Sequence, residues 1–170
     1  MPHEKSVIHV TGHIAYILLY GLLIVFCFLF YNWANLEILL YLGWVTFAFG
    51  IVFLLWSSQS RKKGHVSGEK GISKETLVES GMYAFVRHPE FLGHILIIFA
   101  LILIAQHWVS LIVGAMLIIL LCLAMIEEEK RDIEKFGDAY KDYMKRVPRM
   151  NLLAGVRRKM DLKKENEKSK

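Results

Sequence analysis

The chain has 170 residues, 55% of them hydrophobic, and a formal net charge of +5. Apolar residues gathered into long unbroken runs exclude an ordinary soluble domain. The basic residues flank those runs, so the expected partners are anionic lipid headgroups, not nucleic acid.

A polar start, residues 1–9, leads into a first spanning run, Ile14–Tyr31, with Trp33 as an interfacial anchor. No small-residue cleavage site follows it, so it is expected to stay in place as a span. The loop from Asn32 to Glu37 has no Lys or Arg, and a second run, Ile38–Ser57, follows. Arg61-Lys62-Lys63 opens a polar segment reaching Glu90, in which Ser73 is placed to cap a short helix over residues 74–80 that Gly81 ends. Phe91–Ile126 is an apolar run of 36 residues, where one span needs roughly 20. It is expected to fold as two helices, 91–105 and 109–126, parted at Gln106-His107-Trp108, with Ser110 capping the second. From Glu127 the pattern turns amphipathic: Ile133, Phe136, Tyr140, Tyr143 or Met144, and Val147 recur at three- and four-residue steps. That predicts a helix in the membrane interface or packed over the core, ended by Pro148. Residues 160–170 read as a basic, disordered tail behind a single membrane-embedded domain, 1–159. The fold class is therefore all-α: four transmembrane helices plus a C-terminal cytoplasmic interfacial helix.

Charge sets the expected orientation. The segment from Ser58 to Glu90 has six Lys or Arg, the chain after Ile126 has fourteen, and the two intervening loops have none. The positive-inside rule puts both termini and the 58–90 segment in the cytoplasm. Cys27 and Cys122 sit within apolar runs as small hydrophobes, and no metal-ligand spacing is present.

The chemistry concentrates between Gly81 and Gly93. Pro89 pushes His88 toward extended backbone and suits the first turn of the following helix, so Arg87 and His88 lie in a bend at its mouth. Glu127-Glu128-Glu129 closes the next apolar run, and a hairpin of the two runs would bring both clusters to one membrane face. Ionisable groups at that depth are costly and usually functional. One of the three carboxylates is expected to be merely solvated; the others need cations, with Arg87, Lys130 and Arg131 as candidates. Glu90 stands four residues before His94, the spacing of an ion pair or hydrogen bond.

Thr76-Leu77-Val78-Glu79-Ser80-Gly81-Met82-Tyr83, then Arg87-His88-Pro89-x-Phe91-x-Gly93, then Glu128-Glu129 and Phe136-Gly137-x-x-Tyr140-x-x-Tyr143-x-x-x-Val147-Pro148-Arg149 resemble the isoprenylcysteine carboxyl methyltransferase family. That superfamily of integral membrane methyltransferases includes the phospholipid N-methyltransferases. The resemblance covers residues 76–149 and departs at Phe91, Met82 and Asp132, where Tyr, Pro and Leu are usual. It implies S-adenosylmethionine as cofactor, with Tyr83, His88, Pro89, Phe91, Glu128 and Glu129 around it. It further implies a lipid-like or prenylated acceptor entering from the bilayer, and Arg87 and Glu128 in catalytic roles. In that reading the Arg87 fork grips a carboxylate of cofactor or substrate. Carboxyl O-methylation of the isoprenylcysteine type is the expected activity. Phospholipid headgroup N-methylation is the first alternative, and a sterol-reductase-like or non-catalytic membrane protein the second.

Overall fold

Long runs of Leu, Ile, Phe and Val in lipid leave backbone polar groups no water to bond, and helices satisfy them internally. The computed structural model describes residues 2–66 and 77–168. Among the described residues the chain is all-α: α1 Pro2–Leu29, α2 Glu37–Val66, α3 Pro89–Ala105, α4 Trp108–Phe136, α5 Asp138–Arg146 and α6 Leu152–Lys168, with a 3-10 turn at Gly81–Ala84. Among the described residues three helices are long and apolar enough to cross a membrane: α1 over Gly12–Leu29, α2 over Glu37–Lys62, and α4. The helix α3 is apolar throughout but has 17 residues, about 26 Å at 1.5 Å per residue. Many large apolar side chains on α1 and α2 stand exposed, Phe28 and Ile38 among them, as lipid-facing surfaces do.

Several boundaries differ from those expected. The break at Gln106-His107 is present, with Gln106 at φ 54°. Ser110, however, is a buried residue inside α4, and the cap is His107, whose Nδ1 accepts the Val109 N–H at 3.3 Å. No break follows Ile126: α4 continues through the acidic cluster to Phe136 because Glu, Lys and Arg are all strong helix formers. The expected interfacial helix is thus the end of α4 plus α5, joined at Gly137, whose φ of 61° few residues but glycine adopt. Residues 160–168, expected to be disordered, end the helix α6. Leu77–Glu79 have no regular structure, and Ser73, Thr76 and residues 74–76 of the short helix expected before Gly81 lie outside the described residues.

The chain forms two compact units, Met1–Ile51 with Gly93–Ile126, and Val52–Leu92 with Glu127–Lys170. In the first, Gly43 and Gly50 let α2 approach the backbone of α3. A Cβ at Gly43 would lie 2.7 Å from Ile104 Cγ1 and 3.2 Å from Ala100 O, and one at Gly50 would meet Ile97 and Gly93 O at the same distances. The last carbonyls of α3 take donors from the α1–α2 loop: Asn32 N–H to Ile104 O at 2.9 Å and Trp33 N–H to Ala105 O at 3.2 Å. Gln106 returns the bond, its amide pairing both backbone groups of Leu36 at 3.0 and 2.9 Å. The ring of His107 stacks on Phe30 at 3.8 Å, and that of His94 meets Tyr16 and Tyr20 edge-on.

In the second unit the amphipathic pattern faces inward. Tyr140, Tyr143 and Val147 are buried together, with Leu77, Ile133, Phe136 and Met144 packed against them. Burying those rings holds α5 and the end of α4 over the bend at residues 83–88, which is where the site forms.

Candidate functional site

Three consecutive carboxylates on a helix point about 100° apart, so they cannot share a face. Glu127 turns to water and pairs with Lys130 at 2.7 Å, each about 60% exposed. Glu128 is half-buried on the wall of a cavity, and Glu129 points inward, buried. Glu129 is the hub. Its Oε1 lies 2.8 Å from Arg87 Nη1 and 3.2 Å from His88 Nε2, and the Arg149 guanidinium reaches both oxygens, Nε at 3.1 Å and Nη2 closer. The backbone reinforces this: Pro148 O accepts the Arg87 N–H at 3.0 Å and Arg149 O the His88 N–H at 3.2 Å. So the Pro148-Arg149 segment fastens the Arg87-His88 bend by main chain and side chain together.

The cavity occupies about 220 Å³ and opens among Tyr83, Arg87, His88, Glu128 and Asp132, with Tyr140 and Tyr143 behind. Arg87, which lines it, has an unspent group. Its side chain is 8% exposed, Nη1 faces Glu129 without hydrogen-bond alignment, and Nε has no hydrogen-bond partner at all. Two guanidiniums against one carboxylate leave a net positive charge on this wall. The wall on α4 carries both signs: Glu128 and Asp132 are one turn apart on the same face, with Lys135 one turn beyond. Tyr83 is held between them and α2: its hydroxyl accepts from Arg61 Nε and Nη2 at 3.2 and 3.1 Å and shares a 3.3 Å bond with Ser57, while its carbonyl takes the Tyr143 hydroxyl at 2.7 Å. Arg61 also pairs with Glu90.

Of the residues singled out from sequence, Tyr83, Arg87, His88 and Glu128 line the cavity. Glu129 sits behind them as the anchor of Arg87. Phe91 lies edge-on to the His88 ring at 5.5 Å and Pro89 is the buried first residue of α3, so both support His88 from behind. Arg61, Arg149 and Asp132 received no site role from the sequence. The signal for Arg149 was its block, Val147-Pro148-Arg149; Arg61 counted only as loop charge, and Asp132 only as a departure from a pattern.

Burial drives the His88 pKa down to about 4, against the opposing pull of Glu129, with Arg87 and Arg149 adding to the depression. At neutral pH the ring is uncharged, and Nε2–H donates to Glu129. The unfolded chain takes up a proton near pH 6.5 that the folded chain refuses until about pH 4, so this group contributes stability above pH 6.5 that is lost as pH falls through that window. The difference corresponds to about 3 kcal/mol. Replacing His88 by Gln is expected to flatten the fall in thermal stability between pH 6.5 and 4; an unchanged profile would place the acid sensitivity elsewhere.

A chain that is all-α among the described residues, with three helices there of membrane-crossing length and a buried ionic cluster bordering a cavity lined by both signs of charge, is an integral membrane protein with a polar site. The family model described as phospholipid methyltransferase matches residues 38–139, more than half of the chain, and the chain belongs to that family, part of the superfamily that includes the isoprenylcysteine methyltransferases. It is thus a membrane methyltransferase, of a class that uses S-adenosylmethionine. No individual curated protein and no solved structure matches it. The matched segment contains Arg61, Arg87, Glu129 and Asp132 and stops before Arg149 and α6.

Proposed function

We propose that the protein transfers a methyl group from S-adenosylmethionine to the amine of a membrane lipid headgroup. The observation that carries this is the pair of carboxylates, Glu128 and Asp132, on the cavity wall. They repel a carboxylate acceptor and attract an ammonium group. The reading departs from the carboxyl acceptor expected from the sequence and agrees with the family description. The methyl donor fits on a separate observation: the buried, unpartnered Arg87 Nε suits the carboxylate of its amino-acid end, with Glu128 opposite for its ammonium group. When bound, the donor supplies a methyl group already activated by its sulfonium. The protein's part is to align acceptor and donor and exclude water. Asp132 draws in the acceptor ammonium and takes its proton, freeing the nitrogen lone pair; the carboxyl then returns the proton to water at the cavity mouth. Tyr83 and Tyr140 close the cavity wall. We place α3 across the bilayer as a fourth span, slightly short of the roughly 30 Å core and so little tilted. Both termini and the cavity then lie at the cytoplasmic face.

The test is methyl transfer from labelled donor to vesicles containing phosphatidylethanolamine, compared with prenylated cysteine acids. The label is expected in lipid as an alkali-stable N-methyl group. Asp132→Asn is expected to lower kcat/KM by about tenfold or more while binding of S-adenosylhomocysteine stays unchanged. Alkali-labile label, which marks a methyl ester, would overturn the amine reading.

A further inference from the structure

The helix α6 lies beyond the family match and takes no part in the cavity, yet it is built onto the turn that carries Tyr83. Gly155 sits so close to Phe85 that any side chain there would collide with the Phe85 carbonyl. Arg158 Nη2 donates to Ala84 O at 3.4 Å, and Lys159 Nζ stands 4.4 Å over the Phe85 ring. These three residues form one side of α6. The other side is a stripe of Leu153, Val156 and Met160, spread over about 60° of the helix and left 82%, 36% and 54% exposed. Arg157 and Lys164 are exposed along one edge of that stripe, and the exposed Glu167 stands in line with it two turns beyond Met160. Residues 152–170 hold seven Lys or Arg against three Asp or Glu.

An apolar stripe bordered by cations, on a helix whose opposite side is tied to the protein, matches the surface of a bilayer that presents acyl chains beneath anionic headgroups. We infer that α6 is a docking helix for an anionic bilayer surface and that its seating steadies the Ala84–Phe85 turn behind the site. The occupant is lipid because the stripe is narrow, cations line its edge, and the segment around it carries an excess of positive charge. A stable protein interface instead depletes charge at its centre. The inference holds whatever the methyl acceptor is.

The experiment uses the full chain in nanodiscs of phosphatidylcholine alone or doped with phosphatidylserine, read by hydrogen–deuterium exchange. Phosphatidylserine is expected to slow exchange by about tenfold over residues 153–161 and to a smaller degree over residues 84–86. The triple replacement Leu153→Gln, Arg157→Gln and Lys164→Gln is expected to abolish that lipid dependence while leaving exchange in pure phosphatidylcholine unchanged. High salt is expected to weaken the protection. Equal exchange in the two bilayers would overturn the assignment and leave the stripe to an acidic protein partner or a second copy. Protection of α6 with no change at residues 84–86 would overturn the coupling to the turn.

Discussion

Glu129→Ala is expected to destabilise the purified protein by about 3–5 kcal/mol, the cost of stranding a buried charge. The stranded group is Arg87, whose side chain is 8% exposed and whose ion-pair partner is this carboxylate. Arg149, 44% exposed, can turn to water and adds little. Glu129→Gln keeps the shape and one acceptor oxygen, so a smaller loss is expected. In thermal melts in detergent the Ala variant should lose roughly 10 °C of Tm. Glu127→Ala is the control two residues away, and its solvated pair with Lys130 should change stability by no more than about 0.5 kcal/mol. Similar melts for the two variants would show that the hub does not hold the bend.

Arg87→Lys is expected to weaken binding of S-adenosylhomocysteine by about tenfold to a hundredfold. A lysine ammonium can keep the contact to Glu129 but lacks the second donor that the unpartnered Nε gives arginine. The discriminating measurement is calorimetric affinity alongside the melt. A lowered Tm with wild-type affinity would make Arg87 a structural ion only. Lost affinity with an intact Tm would put its guanidinium on the ligand. Lowered turnover with affinity intact would put it on the acceptor.

The apolar architecture was legible because lipid leaves backbone groups few options. Length alone divides Phe91–Ile126 in two, and its most polar point, Gln106-His107, is where the chain turns. The end of α4 was not legible, because polarity changes at Glu127 while helix propensity does not. Legibility of the site followed chain distance. Arg87 and His88 next to Pro89 announce a bend, and a carboxylate triplet after an apolar run announces a charge that needs a partner. Which carboxylate turns inward, and that Arg149 meets it, depends on helix phase and on a contact across 20 residues, neither of which spacing alone conveys. The amphipathic stripe at Tyr140 and Tyr143 had two homes open to it, and burial beneath Leu77 and Ile133 selects the protein interior.

The bond between Gln106 and Leu36 bridges 70 positions of chain. During synthesis the α1–α2 loop therefore exists for several seconds before its partner leaves the ribosome. In that interval the N–H groups of Leu36 and Asn32 lack the partners that α3 and Gln106 bring, while Trp33 N–H has the local Phe30 carbonyl at 3.1 Å. The α1–α2 hairpin is thus a provisional arrangement that becomes final when α3 is made and its last carbonyls arrive. Gln106→Leu would remove the latch after delivery, so its damage should appear as a reduced yield of correctly inserted protein more than as altered chemistry in the molecules that succeed.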